Sequence, residues 1–198
     1  GGALIAQEAH LPGEFAAGVK AEVETWRKAG TLRKLWGRDP SVWTGGDEAK
    51  WLKWLDIVEE RLAHVDELEA FAKEVKAKGF SDVLLLGMGG SSLGPEVIAE
   101  TFGQHAGFPK LHVLDSTDPQ QVADFEKAVD LRKTLFIVSS KSGGTMEPNI
   151  LKAYFFAAAE KALGHAPGPH FVAVPDTGSH MEDVAKKDGF WMIFYGEK

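Results

Sequence analysis

Residues 83–95 read VLLLGMGGSSLGP, and residues 134–149 read TLFIVSSKSGGTMEPN. In both, a run of β-formers stops at Gly or Ser, and a helical pattern begins a few residues later. A loop at that junction aims backbone N–H groups and hydroxyls at one spot, beside the positive end of a helix dipole. That geometry suits phosphate or another anion. Two such loops in one sheet predict a single site that grips a phosphorylated metabolite.

Working outward, apolar runs recur at 83–86, 111–114, 135–138, 171–174 and 191–194. Helical patterns at 96–102, 120–129, 146–163 and 180–187 separate them. Strands alternating with helices imply a parallel sheet joined by right-handed crossovers. Continuous rather than alternating hydrophobicity fits strands buried on both faces. The predicted fold is therefore α/β, a five-stranded parallel sheet sandwiched by helices over residues 81–198. A helical segment, residues 1–80, precedes it. Within that segment, 14–29 has an amphipathic pattern, 37–46 reads as a loop, and 47–78 reads as one long helix or two broken near Asp66, whose side chain would cap the second. Trp26, Trp36, Trp43, Trp51 and Trp54 crowd this region and are expected to pack helices against a core.

Lys and Arg total 22 against 29 Asp and Glu, a net charge of −7. An acidic balance argues against nucleic acid or an anionic membrane as partner. The anion site must then be built locally from oriented dipoles. The absence of cysteine excludes disulfides and thiolate metal sites. No apolar run approaches the ~20 residues that span a bilayer, so the cytoplasm is the expected compartment. The seven histidines form no metal-ligand spacing, and no metal is expected.

In the first loop, Gly87, Gly89 and Gly90 let the backbone approach a ligand, Ser91 and Ser92 offer hydroxyls, and Pro95 suits a first helical turn. The pattern is not the dinucleotide fingerprint, since the third glycine is missing. In the second loop, Ser139, Ser140, Ser142 and Thr145 bring hydroxyls, and Lys141 brings an ammonium suited to phosphate. Such a run is poor core material, although a solvated loop also accounts for it. Glu147 opens the next helix, where an acid complementing the dipole explains it as well as a chemical role does. Asp115 to Asp118 most plainly cap a helix. His112 reads as a packed core residue, and His180 as a capping or surface residue.

GMGGSSLGP at 87–95 and SSKSGGTMEPN at 139–149 resemble the two phosphate-binding segments of the glucose-6-phosphate isomerase family. LHVLDSTDPQQV at 111–122 and AVPDTGSHMEDVAKKDGF at 173–190 resemble the segments linking them, and LWGRDPSVWTGGDEAKWLKWL, beginning at Leu35, resembles the stretch before the sheet. The likeness is strongest to the isomerase halves of bacterial fusions with transaldolase. It implies the sugar isomerase fold, no cofactor, and a small sugar phosphate as partner, with a homodimer expected because the family is usually dimeric.

By the same resemblance, Ser91, Ser140, Lys141, Ser142 and Thr145 would hold the 6-phosphate, with loop glycines Gly89 and Gly90 admitting it. Glu147 falls where the family has a glutamate near the sugar. The family's second sheet domain, its GGRYS arginine, its catalytic base, its ring-opening histidine and a further lysine have no matching positions before Lys198. Trp191 also stands where the family has a basic residue. Moving a proton between adjacent carbons needs a base within hydrogen-bond reach and a group that stabilises the enediolate. The expectation is thus the sugar-phosphate-binding half of an isomerase that interconverts glucose 6-phosphate and fructose 6-phosphate, a truncated piece with little or no turnover alone. A non-catalytic phosphosugar sensor is the alternative. A dehydrogenase-type nucleotide enzyme, with Asp115 selecting ribose, is the third reading.

Overall fold

The computed structural model describes residues 9–196. Its contacts group into two compact units, one ending at Asp56 and one beginning at Ile57.

The first unit holds helix α1 (Gly13–Ala29), helix α2 (Thr31–Trp36) and short 3-10 turns at Pro40–Val42, Glu48–Trp51 and Lys53–Leu55. Gly30, at φ 67°, ends α1 in a left-handed turn and lets α2 start at once. Leu52 and Leu55 are buried here, but the tryptophans expected in a core are not: Trp26, Trp36, Trp43, Trp51 and Trp54 are 43–62% exposed. Their polar edges bond locally, Trp26 Nε1 donating to Glu22 and Trp51 Nε1 to Asp47, each one turn back. Large apolar area makes an aromatic a candidate for burial, but neighbours decide whether burial happens.

Of the two readings of 47–78, the pair of helices broken near Asp66 holds from Ile57 on, and the part before it forms 3-10 turns instead. After the 3-10 turns come α3 (Ile57–Leu62) and α4 (Val65–Ala77). The break falls just before Asp66, which lies in the first turn of α4 as a dipole-compatible acid. His64 occupies the cap position, and no side chain caps the helix. The apolar stripe that suggested continuity stays exposed at Val58 (64%) and Leu62 (67%), so packing does not sustain it.

Beyond α4 the strands and helices alternate: β1 (Asp82–Gly87), α5 (Gly90–Phe102), β2 (Lys110–Leu114), α6 (Pro119–Ala128), β3 (Thr134–Ser139), α7 (Met146–Leu163), β4 (Phe171–Val174), α8 (His180–Lys187) and β5 (Met192–Ile193). The strands form one sheet in the order β2-β1-β3-β4-β5. All neighbouring pairs are parallel. Alternate residues feed two cores. Leu84, Leu86, Phe136, Val138, Phe171 and Ala173 join Leu151 and Phe155 of α7 and Met181 of α8 on one side. Leu135 and Val172 join Val75 of α4, backed by Phe71 and Trp191, on the other. Both faces are therefore covered, which accounts for the unbroken apolar runs. Phe136 and Phe171, paired in register, stack at 4.6 Å between centroids. Such a pair adds about 0.5–1.5 kcal/mol beyond the area it buries.

Two local details differ from the sequence reading. Helix α5 begins at Gly90, not six residues later, so Ser91 and Ser92 lie in its first turn and Pro95 in its interior. Gly and Ser are weak helix formers, and their pattern masked the start. The last strand is two residues, yet Trp191 and Phe194 still donate to Phe171 and Ala173 carbonyls and continue the pairing on both sides. Trp191 lies in the second core, with the Lys78 ammonium 4.6 Å from its ring centroid.

Candidate functional site

Chain order along the sheet reverses between β1 and β3: β1 is followed by β2 on one side, and β3 starts the run to β5 on the other. In open parallel sheets the crossovers diverge at such a point and leave a crevice beyond the strand ends. Both glycine- and hydroxyl-rich loops emerge there. Gly87, the last residue of β1, is paired in register with Ser139, the last of β3. A side chain at Gly87 would meet Ser91 Cβ at 3.1 Å and the Ser139 carbonyl at 3.2 Å. That close approach brings the start of α5 against the second loop.

The first loop narrows to Met88 and Gly89, the latter at φ 56°, before Gly90 opens α5. Gly89 and Gly90 are exposed and Ser91 is half-buried. Ser92 points elsewhere. It is fully buried, with Oγ 3.0 Å from the Gly89 carbonyl and 3.4 Å from Asp115 Oδ2. Asp115 is thus a brace between the end of β2 and the first turn of α5 and not a helix cap. Asp118 caps α6, accepting from the Gln121 N–H at 2.9 Å.

In the second loop Ser140 is buried, and its Oγ makes no hydrogen bond among the described residues. Leaving a buried hydroxyl unpaired costs about 1–3 kcal/mol, so this group stands out in the loop. Lys141, Ser142 and Thr145 are exposed, and Glu147, in the first turn of α7, is half-buried. Ser142 Oγ accepts from the Gly144 N–H at 3.2 Å. Thr145 is the cap residue of α7, but its hydroxyl makes no capping bond. Asn149 holds the loop, its Nδ2 donating to the carbonyls of Gly143 at 2.9 Å and Thr145 at 2.7 Å. Gly143, at φ 67°, rests against the start of α8.

A third strand end joins them. The Asp176 N–H donates to the Lys141 carbonyl at 2.8 Å, and the Ser140 N–H to the Val174 carbonyl at 3.3 Å. Asp176 is itself buried with Oδ1 unbonded among the described residues. Sequence reading passed over it because PDTGS reads as an ordinary turn, and the burial of an aspartate is a tertiary fact. His180 is exposed, and Ser179 caps α8. His112 is half-buried, with Nε2 2.8 Å from Asp82 Oδ1. Among the described residues no three His, Cys, Asp or Glu side chains meet as a metal site.

The β4–α8 loop is held by Glu182. Its carboxylate takes hydrogen bonds from Lys186 and the Gly178 N–H, and from the Tyr195 hydroxyl at 3.0 Å. Chiefly through Lys186, these donors pull Glu182 from its ordinary 4.5 down to about 2. The same contacts hold Lys186 and Tyr195 above their ordinary ranges. A depressed carboxylate contributes stability above its unfolded value and loses it as pH falls through the folded one. Glu182→Gln is therefore expected to lower the urea midpoint at pH 7. The gap to wild type should close as pH drops from 4.5 toward about 2. A gap independent of pH would refute the ionic role.

A family model described as phosphoglucose isomerase matches residues 56–186. A curated glucose-6-phosphate isomerase from Trichormus variabilis is 34% identical over 157 residues, covering 70% of this chain and 28% of the relative. One from Geobacter sulfurreducens is 37% identical over 143 residues, covering 66% and 26%. Among solved structures, a hypothetical protein from Thermus thermophilus superposes with a TM-score of 0.73 at 25% identity, over 93% of this chain and 42% of that one. A glucose-6-phosphate isomerase from Chlamydia trachomatis does so at 0.59 and 29% identity, over 85% and 30%. The chain thus spans little more than a quarter of the curated relatives it matches. Family model, relatives and fold agree on one assignment: the chain belongs to the phosphoglucose isomerase family.

Proposed function

We propose that this chain is the phosphate-gripping part of a glucose-6-phosphate isomerase, with residues 81–198 as its sugar isomerase domain. It binds the 6-phosphate of glucose 6-phosphate and fructose 6-phosphate in the crevice between β1 and β3. The observation that carries the reading is the Ser140 hydroxyl, buried at that crevice with no partner among the described residues. Ser91, Ser142 and Thr145 supply further hydroxyls, and Lys141 supplies the positive charge that a dianion needs in a chain of net charge −7. Gly89 and Gly90 keep the entrance clear of side chains. Glu147 stands beside the sugar, its place set by the α7 N-terminus.

Phosphate grip orients the substrate. It does not by itself raise the rate, because it binds ground state and transition state alike. The resemblance puts the base, the ring-opening histidine and the enediolate-stabilising arginine in the longer protein. Residues 1–198 alone are therefore expected to bind without appreciable turnover. Leu93, Val97 and Phe102 on α5 and Met146 and Ile150 on α7 are 49–74% exposed, which supports self-association into a homodimer as part of the proposal.

Calorimetric titration of the chain with fructose 6-phosphate, fructose and inorganic phosphate tests the reading. Saturable binding at millimolar concentration that requires the phosphate group is expected. Lys141→Ala should weaken it by about tenfold or more, since a hydrogen bond to a charged group contributes roughly 1.5–3 kcal/mol. Absence of binding, or equal binding of fructose, would overturn the proposal. Near-normal isomerase turnover would overturn its claim that this part alone does not catalyse.

A further inference from the structure

At the opposite end of the sheet, the chain segments that enter β1, β3 and β4 line an open cavity of about 540 Å³. Lys78, Gly79 and Phe80 precede β1, Arg132 and Lys133 precede β3, and Pro169 and His170 precede β4. We propose that this cavity is a second anion site, independent of the loops, that takes a small phosphorylated metabolite.

Charge is the first argument. The chain as a whole is acidic, at −7, yet Lys78, Arg132 and Lys133 converge on one cavity, beside a His170 ring whose burial holds it below its ordinary range. Among the described residues that line it, none carries a carboxylate. Lys78 and Arg132 are each oriented by a neutral group. The Lys78 ammonium sits over the Trp191 ring at 4.6 Å from its centroid, and Arg132 Nε donates to the Ala162 carbonyl at 3.2 Å. Arg132 is also paired with Asp130, whose Oδ1 lies 3.8 Å from Nη1 and accepts the Arg132 backbone N–H, so the excess charge on the wall is carried by Lys78 and Lys133. Net positive charge thus remains on the wall for an incoming anion.

Shape and rigidity are the second. The volume lies within the ~300–1,000 Å³ typical of metabolite sites. Phe80 and His170 meet edge to face, ring centroids 5.1 Å apart, and form an apolar side. His170 Nδ1 is 3.2 Å from the Thr134 carbonyl, and the Ser81 N–H donates to the Lys133 carbonyl at 2.8 Å. These bonds tie the three segments together, so the cations are presented by a fixed frame and not by a loose loop.

The test is an amide NMR titration of the chain with inorganic pyrophosphate at constant ionic strength. The amides of Gly79, Phe80, Lys133 and His170 are expected to shift on one saturable isotherm. Arg132→Ala/Lys133→Ala should weaken that isotherm by about tenfold or more. Lys133→Glu, an exposed change that leaves the Arg132–Ala162 bond in place, should abolish it. Lys141→Ala, in the other site, should leave it unmoved, so failure of this proposal and failure of the loop site are separable. An isotherm unchanged in the double variant would overturn the proposal, as would equal shifts from sodium chloride. A response to a polynucleotide without one to pyrophosphate would also overturn it, by making the cavity part of a macromolecular surface.

Discussion

Gly143→Ala is expected to lower the melting temperature by roughly 5–15 °C and to abolish fructose 6-phosphate binding, whereas Gly144→Ala changes neither appreciably. The two glycines are adjacent, and the same methyl is added, yet their surroundings differ. Gly143 sits at φ 67°, where a Cβ is strained, and that Cβ would lie 2.4 Å from the Met181 backbone nitrogen and 3.0 Å from Met181 Cβ. Neither contact can relax by swinging a flexible side chain, because one partner is backbone at the start of α8 and the other is the first atom of a fully buried residue. Left-handed strain of about 1–2 kcal/mol and overpacking of about 1–3 kcal/mol combine in one site. The loop or α8 must move, and the Asn149 bond to the Gly143 carbonyl goes with it. A Cβ on Gly144 meets nothing nearer than Ser142 Oγ at 3.7 Å. Thermal unfolding by circular dichroism on both variants, followed by titration, reads the result. Equal melting temperatures would show that the loop does not need its packing against α8.

Ser140→Ala is expected to leave stability unchanged or raise it, and to weaken fructose 6-phosphate binding by about tenfold or more. A buried hydroxyl with no partner contributes nothing to the fold and carries a desolvation penalty of about 1–3 kcal/mol. Its removal relieves that penalty in the free protein and deprives the bound phosphate of a donor. Ser92→Ala is the control. That hydroxyl is also buried but is bonded to Gly89, so its loss should cost about 1 kcal/mol of stability. A fall in the melting temperature of Ser140→Ala would mean that its hydroxyl serves the fold. Undiminished affinity would mean that phosphate does not reach it.

Much of the architecture was legible because strong local patterns coincide with elements that packing also favours. The 146–163 and 180–187 helices and the 171–174 strand appear with the boundaries their sequences imply. Illegible were the places where local preference and context part. The start of α5 hides in Gly and Ser. The 47–78 stripe is not sustained as one continuous helix, and its first part turns to 3-10, because much of its apolar face finds too little to pack against. The exposed tryptophans of the first unit make the same point, since their size invites burial that their neighbours do not supply.

For the candidate site, sequence alone determined that two loops rich in glycine and hydroxyls follow strands, because a β-run broken by Gly or Ser before a helix admits few other readings. It also determined the family, through the residues in those loops. Tertiary structure decided which hydroxyls are available. Ser92 turns inward to brace Asp115, Ser140 is buried without a partner among the described residues, and Asp176 arrives from a strand end more than thirty residues away. It also decided that the loops are neighbours, through the reversal of strand order between β1 and β3. Strand order and side-chain burial depend on contacts between segments distant in the chain, and local pattern carries no record of those contacts.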